Sequence, residues 1–146
     1  MNIPVINLKA QYGKVKKDIL KDLREILSEQ RLILGKYCSR LEEIIADYTG
    51  VPYAISCANG TDALILSLMA LDIKSTDEVI TTPYTFFSTA SSITLMGAKP
   101  VFVDIKEDDM NINPDLIEKA ITRKTKAITV VHLFGKLCDM DRICAI

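Results

Sequence analysis

Between Lys14 and Glu29 the apolar residues fall at Val15, Ile19, Leu20, Leu23, Ile26 and Leu27, with Lys, Asp and Glu between them. That spacing predicts an amphipathic helix. Residues 1–13 read as extended and irregular. Leu34-Gly35 interrupts the stripe, and Tyr37, Leu41, Ile44, Ile45 and Tyr48 start a second one, which Gly50 closes in the usual C-terminal glycine position. The texture then changes to short apolar runs bounded by turn residues. Strands are predicted at Tyr53–Ala58, Glu78–Thr82, Pro100–Ile105 and Lys126–Val131. Helices are predicted at Thr61–Leu71, at Phe86–Met96 (closed by Gly97) and at Pro114–Ile121, with proline in the first turn. The βαβαβαβ order, with little polar alternation inside the strands, predicts a parallel sheet covered by helices. The chain thus reads as a helical segment, 1–50, followed by an α/β region, 51–146.

The helix at Thr61–Leu71 carries Leu64, Ile65, Leu66, Leu68, Met69 and Leu71 on nearly every side. One face can pack on the sheet, and the other calls for a further domain or subunit. Composition narrows the function classes. Eighteen Lys and Arg against nineteen Asp and Glu give a net charge of -1, so no basic surplus exists to neutralise a nucleic-acid backbone. The apolar runs fall short of a membrane span, and the first residues lack the basic-then-apolar form of a signal peptide. Cys38, Cys57, Cys138 and Cys144 include no C-x-x-C, and His132 is the only histidine, so no metal site is expected. The cysteines read as reduced thiols of a cytoplasmic protein.

Ligands of open α/β sheets bind beyond the carboxyl ends of the strands. Those ends offer Asn59-Gly60-Thr61-Asp62, then Thr82-Pro83-Tyr84-Thr85-Phe86-Phe87-Ser88, then Asp104, then His132-Leu133-Phe134-Gly135. The glycine turn is either a phosphate seat of backbone N–H groups or a plain helix cap. Phe86 either stacks on a planar ligand or anchors a helix start, and His132 either meets a substrate or closes a strand end. Asp62 reads as a helix cap, and Glu107-Asp108-Asp109 reads as a solvated turn.

The order of these motifs, with Gly35, Asp77-Glu78-Val79-Ile80, Gly97-Ala98-Lys99-Pro100-Val101-Phe102-Val103-Asp104 and Thr125-Lys126-Ala127-Ile128, resembles the N-terminal part of the DegT/DnrJ/EryC1/StrS aminotransferases. These are fold type I enzymes, dependent on pyridoxal 5'-phosphate, that aminate keto sugars attached to nucleotides in amino-sugar and polysaccharide biosynthesis. The resemblance implies that Gly60 and Thr61 hold the cofactor phosphate and that Phe86 stacks on the pyridine ring. It places Asn59 and Ser88 in the same pocket and His132 near the substrate. It also implies a nucleotide-sugar substrate, glutamate as amino donor, and a homodimer with active sites at the subunit interface. The chain departs from the family in two loops. Lys74-Ser75-Thr76 stands where glycine is usual, and Cys138-Asp139-Met140 stands where Ala-Asp-Met is.

In the family, the Schiff-base lysine and the aspartate that pairs with the pyridinium nitrogen come later than Ile146. No catalytic residue is therefore nominated within this chain, and pyridoxal phosphate is expected to bind it weakly or not at all. The chain reads as part of a truncated or split gene, with a separate C-terminal half as a candidate partner. Two other readings stand beside it: a non-catalytic remnant that binds a phosphorylated ligand or partner subunit, and a sugar-dehydratase relative that has lost the lysine.

Overall fold

The computed structural model describes residues 6–146, and these divide into two compact units, one up to Ser56 and one over Cys57–Ile146. The first unit holds α1 (Leu8–Glu29) and α2 (Lys36–Thr49). Helix α1 begins earlier than the apolar stripe suggests. Asn7 caps it by accepting from the Ala10 N–H at 3.1 Å, so Leu8–Gly13 is helical rather than irregular. The expectation for residues 1–5 lies outside the described residues. Lys36 joins the two helices by pairing with Glu25 and Glu29, and the Tyr37 hydroxyl donates to Glu25 at 2.8 Å. That carboxylate pushes the Tyr37 phenol up to about 12. Gly50 ends α2 at φ 71°, its N–H returning to Ala46 and Asp47 carbonyls.

The second unit is a three-stranded parallel sheet flanked by helices. Its elements are α3 (Gly60–Ala70), β1 (Glu78–Thr81), α4 (Ser88–Leu95), β2 (Lys99–Phe102), α5 (Pro114–Ala120), β3 (Thr125–Ile128) and α6 (Met140–Ala145). The sheet order is β2-β1-β3, and Val79 pairs with Pro100 on one side and Ala127 on the other. Every residue of β1 is buried, because both its edges and both its faces are covered. Successive side chains point to opposite faces. Val79 joins Leu68, Ile73, Ile93 and Ala98 beneath α3 and α4, whereas Ile80 joins Val103, Ile112, Ile117, Cys138 and Ile143 beneath α5 and α6. Pro100, which lacks an N–H, sits on the outer strand β2.

Two expectations need correction. Tyr53–Ala58 forms no strand: β1 is already paired on both sides, and no described strand pairs with this segment. Ser56 instead gives its backbone N–H and its hydroxyl to Glu42, both at 2.8 Å, and Ile55 is 82% exposed. The acidic turn at 107–109 is solvated only in part. The Asp109 carboxylate accepts from Lys106 Nζ at 2.8 Å and from the Asn111 N–H at 2.9 Å, which holds it below the usual carboxylate range. Among the described residues no helix is long and apolar enough to cross a membrane.

Glu78 opens β1 with a buried carboxylate that accepts from Thr122 Oγ1 at 2.7 Å and from Lys99 Nζ at 3.1 Å. The Thr122 hydroxyl, then Lys99, lower its pKa. A carboxyl lowered on folding adds stability above its unfolded pKa and loses it as the pH falls through the folded value. Wild-type protein is therefore expected to exceed Glu78→Gln in urea midpoint at neutral pH. That gap should close below about pH 4, the ordinary glutamate range, and a gap that widens in acid would contradict this pairing.

Candidate functional site

The site is built on the starts of two helices. Asn59, in extended conformation (φ -164°, ψ 173°), is the N-cap of α3. Its Oδ1 accepts from the Asp62 N–H at 2.9 Å, its Nδ2 donates to Asp62 Oδ2 at 3.0 Å, and its carbonyl accepts from the Ala63 N–H at 3.1 Å. The cap therefore takes up the third and fourth amides of the turn. Among the described residues nothing accepts from the N–H groups of Gly60 and Thr61. Those two donors, at the positive end of an 11-residue helix, suit an anion. A Cβ built on Gly60 meets nothing within 4 Å, and Gly60 is not among the positive-φ residues. The fold itself does not demand glycine there, and the space beside it is free for a ligand atom.

Helix α4 follows the end of β1. The Phe86 and Phe87 carbonyls accept from the Thr89 and Ser91 N–H groups at 3.1 and 3.0 Å, and the hydroxyls of Thr85 and Thr89 lie 3.1 Å apart. These bonds fix the turn while leaving its rings in the open, Phe86 77% and Phe87 80% exposed. Phe86 is thus not a core anchor. Ser88 is the first residue of α4 and is half-buried. Helices α3 and α4 pack on each other, and Leu68 and Ile93, late in each, share a cluster with Val79 of β1. Both helices therefore run back along the sheet, and their starts, carrying Asn59, Gly60, Thr61, Phe86 and Ser88, rise on the carboxyl side of β1.

His132 follows β3 and is exposed. Its Nδ1 accepts from the Cys138 N–H at 3.1 Å, and the buried Cys138 thiol donates to the Val131 carbonyl at 3.2 Å. Burial raises that thiol's pKa, with Asp109 adding to the effect. Between these residues the chain makes a tight turn, Leu133–Gly135, with Phe134 at φ 52°. The residue that anchors this turn escaped the sequence reading. Asn111, 1% exposed, donates from Nδ2 to the Lys136 and Leu137 carbonyls, both at 3.1 Å, and accepts from the Leu133 N–H at 3.3 Å. The available signal was an asparagine set between Met110 and Ile112 directly after an acidic turn.

The arrangement offers an anion seat, an open aromatic face and an imidazole, all at strand or helix ends of one unit. Comparison with known proteins bears on what it serves. The model of the DegT/DnrJ/EryC1/StrS aminotransferase family matches residues 14–146. The chain is 48% identical to the pleiotropic regulatory protein of Geobacillus stearothermophilus over all of its own length and 39% of that protein's. It is 46% identical to UDP-2-acetamido-2-deoxy-3-oxo-D-glucuronate aminotransferase of Pseudomonas aeruginosa, over 99% of its own length and 40% of the relative's. Among solved structures, NtdA of Bacillus subtilis with bound cofactor PMP superposes with a TM-score of 0.92 at 35% identity, over 97% of this chain and 33% of that one. The chain spans about two fifths of the length of the curated relatives it matches.

Proposed function

The chain belongs to the DegT/DnrJ/EryC1/StrS aminotransferase family, and on that premise we propose that it forms the phosphate- and ring-holding part of a pyridoxal-phosphate site. The intact enzyme transfers an amino group, from glutamate, to a nucleotide-linked keto sugar in the cytoplasm. The observation that carries this reading is the free pair of N–H groups at Gly60 and Thr61, beside a position that glycine occupies without steric need.

Each residue has a physical task. The Gly60 and Thr61 amides and the Thr61 hydroxyl bind the phosphate. Asn59 holds the first turn of α3 in shape through Asp62. The Phe86 ring covers one face of the pyridine and excludes water from it, while Ser88 lines the pocket at the start of α4. When bound, the cofactor supplies the electron sink that amino transfer requires. Leu66 and Met69 of α3, and Leu71 just after it, are exposed, which supports burial of that face in a subunit contact of the intact enzyme.

The reading is tested by titrating ¹⁵N-labelled chain with pyridoxal phosphate and, separately, with unphosphorylated pyridoxal. Weak binding is expected, with the Gly60 and Thr61 amides shifting for the phosphorylated form alone. Phe86→Ala should weaken binding about two- to tenfold, matching about 0.5–1.5 kcal/mol for a lost aromatic contact. Because the ring is exposed, its removal should change folding stability by no more than about 0.5 kcal/mol. Identical shifts with both ligands, or none at the α3 start, would sink the proposal.

A further inference from the structure

We infer that Asn111 is a positioning residue that fixes His132 as a hydrogen-bond donor through Nε2. The inference rests on the reading of the carboxyl rim as a ligand site.

The Cys138 backbone N–H can only donate, and it points at His132 Nδ1. An imidazole nitrogen that accepts carries no proton, so the neutral ring holds its proton on Nε2. Among the described residues nothing bonds to Nε2. The ring therefore offers one N–H outward, suited to an acceptor oxygen of a ligand (a hydroxyl, carbonyl or phosphate oxygen of the nucleotide-linked sugar).

That orientation depends on the 133–138 turn keeping its shape, and α6 cannot supply the restraint alone, since it begins after the turn. Asn111 supplies it. One buried amide group bonds the chain at Leu133, Lys136 and Leu137, on both sides of the bend. Asn111 is itself held at its N–H by Asp109 and at its carbonyl by the Lys106 N–H at 2.9 Å. The 106–111 loop thus clamps the turn that carries the histidine's partner amide. An aliphatic side chain at 111 would leave the Lys136 and Leu137 carbonyls without this donor, and would leave the Leu133 N–H only its bond to the Val131 carbonyl at 3.0 Å.

The single histidine of the chain makes this measurable. The chain is labelled with ¹⁵N-histidine and its imidazole nitrogens are recorded at about pH 8, where imidazole is neutral, with no ligand added, so that failure of cofactor or sugar binding does not enter. The expected spectrum shows a protonated Nε2 and an unprotonated Nδ1. Asn111→Ala should average the two nitrogens and speed hydrogen exchange of the Cys138 amide about tenfold or more, as for the loss of one hydrogen bond. The Ile80 and Thr81 amides should stay protected. Cys138→Ala, which keeps the backbone donor, should leave the histidine spectrum unchanged. A proton on Nδ1 or averaged nitrogens in the wild-type chain would overturn the inference, even if Asn111→Ala failed to fold. So would an Asn111→Ala chain with the wild-type spectrum and exchange rate, or a Cys138→Ala chain whose histidine changes.

Discussion

Replacing Ile80 by alanine is expected to destabilise the fold by about 2–5 kcal/mol, the range for a fully enclosed aliphatic side chain truncated to Cβ. Ile80 is 0% exposed and meets residues from α5, α6, β2 and β3, so few neighbours are free to collapse into the space it would leave. Its neighbours come from segments spread between residues 101 and 143, hence the loss should appear in one cooperative urea transition. Ile55→Ala is the matched control. It removes the same atoms from a side chain in solvent and should cost no more than about 0.5 kcal/mol. Equal losses at the two positions would mean that residues 53–58 belong to the packed sheet after all.

The second large effect is expected at Gly97. It lies just beyond α4 at φ 77°, and a Cβ there would stand 3.2 Å from Ser75 Cβ and 3.6 Å from Ser75 Cα. Left-handed backbone costs an L-residue roughly 1–2 kcal/mol, and the crowding against Ser75 adds to it. Gly97→Ala should therefore cost about 2–3 kcal/mol. Gly50→Ala, at φ 71° with nothing within 4 Å, should cost only the backbone share, roughly 1–2 kcal/mol. Chemical denaturation of the three chains separates the contributions. A Gly97→Ala chain no weaker than Gly50→Ala would show that Ser75 gives way freely.

Gly50 and Gly97 also show which parts of the fold were legible in the sequence. Both helix ends are written locally, in a residue type that tolerates positive φ, and both were read correctly. The same holds for Pro114 at the start of α5 and for the apolar runs that became β1, β2 and β3. Tyr53–Ala58 has an equally apolar composition, yet composition cannot reveal whether a neighbouring strand is present to accept its ladder. The early start of α1 was missed because the Asn7 cap precedes any apolar repeat. At the candidate site, the glycine that opens α3 and the aromatic residues after β1 were visible as types, and the resemblance gave them tasks. Asn111 was not visible in this way, because its bonds reach 22 to 26 residues along the chain. Nor was the dual role of Asn59: it closes two amides of α3 and leaves two open, which only the geometry distinguishes.

The central place of β1 has a kinetic consequence. The contact of Glu78 with Lys99 spans 21 residues, whereas that of Thr81 with Thr129 spans 48. Closing the longer loop costs about 0.7 kcal/mol more in chain entropy, from the logarithmic dependence on length. The β1–α4–β2 crossover should accordingly assemble first, with β3 docking on a pair already formed. Mutations under α4, at Ile93 for example, should then slow refolding, while those under α5, at Ile117, should chiefly speed unfolding.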